Sequence, residues 1–342
     1  MTLPAPICLV VSDTGQVGHA RRAAVELAEQ AGFDEIDAGE VAIVVSELAT
    51  NLAKHAGGGI ISLRLIVPTY GSKAEPPELE VVCVDSGRGI ADVAKCFEDG
   101  YSTTGTPGSG LGAVRRMARV FDLYSQPGKG TVQAVRMARR TAVPAHGDRI
   151  KIGGISVPIP GETECGDAWS VSCHSGTLRI LVVDGLGHGP VAAAASREAV
   201  QVFQDSVQLP VTATLMTMHS ALRATRGAAV ALAEIDLQSN TLCYAGVGNI
   251  SAHIARPETA RVQNLVSING TLGCLSPKIK EFIYPLTTGS RIVFYSDGLL
   301  SQVRLDGYPG LVSHHPAVVA GVLYRDFQRG RDDATVVVAD LD

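Results

Sequence analysis

Apolar positions along the chain switch between two periods, and the switches mark its elements. Residues 7–11 form a short apolar run of strand type. Over 16–31 the apolar spacing becomes helical. A second helix is predicted over 36–55, with Val41, Val44, Val45 and Leu48 on its inner side. Residues 60–67 and 79–84 read as strands, and 68–77 between them as a polar loop broken by proline and glycine. A glycine-rich stretch, 100–112, runs into a helix predicted over 113–120, then strands near 121–125 and 131–137. Residues 139–148 break the periodicity and contain Pro144 and Gly147. Beyond them strand-type runs dominate: 150–157, 168–174, 178–183, 228–235, 241–245, 251–254, 291–295 and 334–339. Helical spacing interrupts them at 191–203, 211–225 and 312–324. No internal repeat relates the halves.

The chain has 342 residues, which predicts two domains: 1–140, a linker at 141–148, and 149–342. Hydrophobic residues make up 46% and charged residues 18%, ample for two cores. A net charge of −5 argues against a nucleic-acid partner held by bulk electrostatics. Seven cysteines contain no C-x-x-C pair, so they are expected to act as small apolar residues in a reducing compartment. No leader pattern is expected, and no apolar run reaches the ~18 residues of a membrane span. The cytoplasm is the expected location, with no membrane partner.

Three segments in the first half carry chemistry. In Ser46-Glu47-Leu48-Ala49-Thr50-Asn51, the carboxylate of Glu47 and the carboxamide of Asn51 share one helix face at i, i+4. Such a pair suits a hard cation carrying phosphates, and a polar stripe on a surface helix has the same pattern. Asp85-Ser86-Gly87-Arg88-Gly89 ends an apolar strand, where a carboxylate can accept from an adenine amino group or simply shape a turn. Gly87 and Gly89 allow close backbone approach. The run Ser102 to Gly112 opens a helix behind glycines, the arrangement of a phosphate cradle. It is neither a dinucleotide fingerprint nor a P-loop, since no strand immediately precedes it and no G-K-[ST] follows.

In this order the three segments resemble the N, G1 and G2 boxes of the histidine-kinase-like ATPases. Glu98-Asp99-Gly100-Tyr101-Ser102-Thr103, followed by Gly108-Ser109-Gly110-Leu111-Gly112, points to the RsbT-like switch kinases of bacterial partner-switching systems. The resemblance implies an α/β sandwich binding ATP with Mg²⁺. Asn51 would hold the metal, Glu47 would orient or deprotonate the attacking hydroxyl, and Asp85 would read adenine. Gly87, Gly89, Thr104, Gly108, Gly110, Leu111 and Gly112 would line the nucleotide. Lys54 and His55 could touch phosphate or be a solvated helix end.

The second half is marked by acids at strand ends: Asp167, Asp184 and Asp297 (the latter two within D-G) and Asp332-Asp333. Carboxylates so placed repel one another unless cations neutralise them. The segments Cys165-Gly166-Asp167, Val183 to Gly189, Ala245 to Asn249, Tyr295 to Gly298 and Arg331 to Thr335 resemble the metal-dependent phosphatases of the SpoIIE and RsbX type. That implies an α-β-β-α sandwich, hence an α+β chain overall, with two Mn²⁺ or Mg²⁺. Asp184 would bridge both metals, the Gly185 carbonyl would bind one, Asp297 and Asp332 would complete a site, and Asp167 would support it. Asp332 is preferred to Asp333. His188 could be a general acid or a turn residue. His314-His315 is expected at the surface, and Arg179, Arg291 and Arg331 as solvated ion-pair partners. Together the resemblances imply a serine/threonine kinase and phosphatase acting on STAS-domain antagonist proteins, with an N-terminal half that only binds nucleotide or partner as the alternative.

Overall fold

The computed structural model describes residues 4–66, 76–93, 95–97, 110–142, 150–174, 176–256, 261–274 and 278–341. Contacts divide the chain into two compact units. One comprises Met1–Ala145 and Ser313–Arg325, the other His146–Val312 and Asp326–Asp342.

In the first unit, β1 (Ile7–Val11) leads into α1 (Val17–Gln30) and α2 (Glu35–Asn51), followed by β2 (Gly59–Ile66) and β3 (Glu78–Val84). Then come α3 (Gly110–Met117), β4 (Val120–Gln126) and β5 (Gly130–Met137). The strands form an antiparallel sheet in the order β1-β2-β3-β5-β4. Helix α1 buries Ala20, Ala23, Ala24, Leu27 and Ala28, a stripe at 3.6-residue period. Helix α2 starts where Asp34 accepts from the Ile36 and Asp37 N–H groups at 2.9 and 2.8 Å. The two helices cover one sheet face, with Leu79, Val81 and Cys83 in the shared core. Helix α2 ends at Asn51 rather than His55. Residues Leu52–Ala56 widen into a π turn, which Gly57 closes at φ +75°. Helix α3 begins three residues earlier than its apolar pattern predicts, because Gly110 already joins it.

The second unit contains β6 (Ile150–Val157), β7 (Asp167–His174), β8 (Thr177–Gly185), α4 (Gly189–Asp205), α5 (Val211–Ala221), β9 (Ala228–Asp236) and β10 (Thr241–Val247). Next are β11 (Ser251–Arg256), β12 (Arg261–Asn264), β13 (Ser267–Ile268), β14 (Phe282–Pro285), β15 (Arg291–Tyr295) and β16 (Ala334–Leu341), while α6 (Pro316–Phe327), between β15 and β16 in the chain, belongs to the first unit as far as Arg325. One sheet runs β13-β10-β9-β8-β7 with β14 on β10, and the other β12-β11-β15-β16-β6. They face each other. Gly154 on β6 leaves room for the Trp169 indole, and the Tyr244 and Phe294 rings are 6.5 Å apart. Helices α4 and α5 bury Ala195, Ala199, Phe203, Leu215 and Met218 against Leu181, Val183, Val230 and Leu232.

Two arginines expected to be solvated are buried. Arg179 donates to the Ser206 carbonyl at 2.7 Å and to Thr214 Oγ1 at 2.9 Å, and it lies over the Phe203 ring. It fastens the end of α4 and the start of α5 to the sheet. Arg291 grips Asp340 through two bonds of 2.6 and 2.7 Å. Arg331 is exposed, as expected.

His314 and His315 are half-buried rather than at the surface, because Asp122 holds both. His314 Nδ1 is 2.9 Å from Asp122 Oδ1, and the His315 N–H donates to Oδ2 at 2.6 Å. They lead into α6, where Pro316–Leu323 are all buried. Gly321 meets Val82, Val84 and Val132 on the face of the first sheet opposite α1 and α2. This cover explains why all of β3 is buried.

Candidate functional site

In the first unit, Glu47 and Asn51 share the half-buried side of α2, while Val44, Val45, Leu48 and Ala49 fill the core. The first residue of α3 lies against Glu47. A Cβ on Gly110 would collide with the Glu47 carboxylate, so only glycine lets this carboxylate approach the helix start. Leu111 is half-buried and Gly112 buried in the same helix. Thr104 and Gly108 lie outside the described residues.

Asp85 leaves β3 buried, with one oxygen accepting the Gly87 N–H at 2.8 Å and the Thr131 N–H at 3.2 Å. Burial holds its carboxyl above the usual carboxylate range, against these two bonds and the charge of Arg325. Gly87 packs on Ala56 of the π turn and Gly89 on the Gln126 carbonyl, so both glycines admit neighbouring chain. Thr131 was not among the predicted site residues. The Val84–Val132 rung of the β3–β5 pairing puts it next to Asp85, and Ser125 Oγ sits 2.9 Å from its hydroxyl. Gly130, at φ +98°, has its Cα against the Asp85 carbonyl. A sequence signal existed in the Gly130-Thr131 turn, but it acquires meaning only through strand pairing.

In the second unit, Asp167 on β7 stands directly opposite Asp184 on β8. Asp297 follows β15 and Asp332 precedes β16, its paired neighbour. Each sheet thus contributes two acids. Burial, then the charges of Asp297, Asp332 and Asp333, pushes the Asp184 carboxyl upward. Burial, then Asp184, raises that of Asp167 well above its ordinary range. Asn249 Nδ2 donates to Asp297 Oδ2 at 2.7 Å and also bonds Asp184. Ser296 Oγ donates to Asp167 Oδ2 at 2.6 Å and accepts the Thr335 N–H at 2.9 Å. Neither Asn249 nor Ser296 was assigned a role from sequence, although both lie inside segments that carry the resemblance.

The adjacent acids 332 and 333 have different surroundings. Asp333 is 2% exposed, and its two oxygens accept the Ile159 and Gly166 N–H groups, each at 2.7 Å. Asp332 is half-buried and, among the described residues, accepts only the Asp333 N–H, at 2.9 Å. The Gly185 N–H donates to the Gly166 carbonyl at 3.1 Å. His188 is exposed, with Nδ1 2.9 Å from Glu162 Oε1.

The donor set is all hard oxygen and anionic, and its acids raise one another's affinity for protons. That suits hard divalent cations. Among the described residues no three His, Cys, Asp or Glu side chains form a compact ligating group. A full shell would therefore draw on carbonyl oxygens and water, as Mg²⁺ commonly does.

A helix-backed antiparallel sheet with this helix-borne acid and amide is of the kinase-like ATPase class. A two-sheet sandwich with acids at facing strand ends is of the PP2C phosphatase class. Residues 10–138 match the Histidine kinase-like ATPase domain and residues 174–342 the SpoIIE family, Stage II sporulation protein E. Serine/threonine-protein kinase RsbT of Bacillus subtilis (strain 168) is 34% identical over 133 residues, 39% of this chain and 96% of that protein. Phosphoserine phosphatase RsbX of the same organism is 25% identical over 139 residues, 41% of this chain and 69% of that protein. A chain solved in work on the bacterial stressosome as a modular system superposes with a TM-score of 0.50 at 27% identity, over 56% of this chain and 98% of its own. The chain belongs to the RsbT family of histidine-kinase-like ATPases and carries a SpoIIE/PP2C phosphatase domain behind it. Among the described residues no helix is long and apolar enough to cross a membrane.

Proposed function

We propose that the second half removes phosphate from phosphoserine or phosphothreonine of a STAS-domain antagonist protein, and that the first half uses ATP with Mg²⁺ to phosphorylate such a protein. The observation that carries the phosphatase reading is the pairing of Asp167 with Asp184 on one sheet and the siting of Asp297 and Asp332 on paired strands of the other. Two Mn²⁺ or Mg²⁺ ions, when bound, would supply charge neutralisation and an activated water. Asp184, the Gly185 carbonyl, Asp297 and Asp332 would hold them. Asn249 fixes the Asp297 rotamer and Ser296 fixes Asp167, so the acids are oriented in advance. In the first half, Asn51 would hold Mg²⁺, Glu47 would orient the attacking hydroxyl, and Asp85 with Thr131 would meet the adenine edge. Gly87, Gly89, Thr104, Gly108, Gly110, Leu111 and Gly112 would line the nucleotide.

Phosphate release from a phosphorylated STAS-domain protein, with Mn²⁺ and with EDTA, tests the phosphatase. Wild type should release phosphate only with metal, and Asp297→Ala should lose about 100-fold or more. Equal release by the variant would overturn the metal-site assignment. The same partner, unphosphorylated, then tests transfer from ATP in wild type and Glu47→Ala.

A second reading makes the first half a nucleotide-binding gate without turnover. It is favoured by one observation: Arg325, from a helix late in the chain, sits close enough to Asp85 to lower its proton affinity. ATP binding without phosphate transfer to any STAS-domain protein would select it.

A further inference from the structure

The turn before β9 lies beside the loop that follows Asp184. Gly185 is opposite Ala228 in the β8–β9 register, and the Leu186 N–H donates to the Gly227 carbonyl at 3.0 Å. Thr225 pins this turn from within. Its hydroxyl donates to the Leu222 carbonyl at 2.7 Å and accepts the Gly227 N–H at 3.0 Å. Gly227, at φ +86°, has its Cα against the Leu272 carbonyl, and the Ala228 N–H donates to that carbonyl at 3.0 Å. Arg226 is therefore a side chain on a fixed backbone.

The Arg226 side chain is exposed, and its Nη1 occupies the space over Gly187, 2.9 Å from where a Cβ would stand. Gly187 is three residues past Asp184, at φ +95°. Among the described residues the guanidinium makes no ion pair and no hydrogen bond, although four acids lie at the same end of the sheets. An unpaired arginine over Gly187, at the end of the sheet where Asp184 stands, has its donor fork available for an outside anion. A guanidinium presents parallel N–H donors that match two oxygens of a phosphoryl group. Exposed arginines on mobile backbone rarely keep one position, because ordering the long side chain costs rotamer entropy. Here the fixed turn and the glycine opposite reduce that cost.

We propose that Arg226 is the phosphate-binding arginine of the phosphatase site, taking two non-bridging oxygens of the substrate phosphomonoester. This rests on the phosphatase reading and adds the residue that recognises the substrate's charge. Gly187, whose φ of +95° itself favours glycine, leaves the guanidinium its space.

The test uses the full chain with Mn²⁺ and two probes, a phosphoserine peptide and inorganic phosphate. Wild type, Arg226→Ala and Arg226→Lys are compared. For Arg226→Ala, kcat/KM on the peptide should fall about 10- to 100-fold, mainly through KM, and phosphate binding should weaken in proportion. Arg226→Lys should recover part of both, since the charge remains and the fork is lost. Melting temperatures should coincide, which a structural role would not permit. Equal phosphate binding by wild type and Arg226→Ala would overturn the proposal. The binding arm needs no turnover. A wild type that binds phosphate through Arg226 and hydrolyses nothing would keep the proposal and overturn the phosphatase reading.

Discussion

Asp332 and Asp333 are chemically identical neighbours with different surroundings. Removing Asp333 orphans two buried N–H groups, at about 1–3 kcal/mol each, offset in part by relief of repulsion from nearby acids. Asp333→Ala should therefore lose about 2–4 kcal/mol in a urea titration. Asp332→Asn keeps an acceptor for the Asp333 N–H and removes a like charge, so its stability should match or exceed wild type while phosphate release collapses. The reverse pattern would exchange the two assignments. His253 makes a separate case. Burial drives its imidazole down to about 4 from an ordinary value near 6.5. The folded protein then resists a proton that the unfolded chain accepts, so stability is lost as pH falls from about 6.5 to 4. The shift corresponds to roughly 3 kcal/mol. Urea midpoints at pH 7 and 4.5 should diverge less in His253→Gln than in wild type, and an equal divergence would remove this histidine from the acid limb. Asp184 and Asp297 were legible in sequence because aspartate-glycine after an apolar run is a local pattern. The partners that orient them were not, since Ser296 and Asp167 are 129 residues apart.

At the scale of elements, most strands and helices follow from apolar period; the short strands β12, β13 and β14 do not, and two further departures occur at the candidate site. The π turn after Asn51 and the early start of α3 are both places where backbone yields to a close approach. No local pattern encodes that Gly110 must admit Glu47. Replacing Gly110 with alanine should gain up to about 1 kcal/mol of helix propensity, while the flexible end of Glu47 swings away. Gly110→Ala is thus expected to fold at least as well as wild type and to lose ATP-dependent phosphoryl transfer. Gly130→Ala is the contrast. Its φ of +98° and the Asp85 carbonyl leave no escape, and about 2–4 kcal/mol should be lost. Thermal melts of both variants check the pair. Equal destabilisation would mean that Glu47 is as rigid as backbone.

At the scale of the whole molecule, chain order and compactness divide the protein differently. Periodicity correctly placed a helix near 312–324, but only contacts between residues 189 apart, Val132 and Gly321, reveal which sheet it covers. The one sequence hint was a helix apolar on every side, which must be buried all round. Gly321 lies close against that sheet. A Cβ there would stand 2.6 Å from Val132 Cγ1 and 3.3 Å from Val84 Cγ2. Gly321→Leu should cost about 1–3 kcal/mol by overpacking. It should also speed hydrogen exchange of the α6 amides, because the helix then leaves the sheet more often. The same amides can report on nucleotide. Arg325 acts on Asp85 through charge, so a nucleotide engaging Asp85 alters the balance that seats the end of α6. With Mg²⁺ and ATP added, exchange over Pro316–Phe327 should slow in wild type and stay unchanged in Arg325→Gln. Wild-type amides indifferent to ATP, in a protein shown separately to bind it, would leave α6 a static cover and take away the observation that favours a gate.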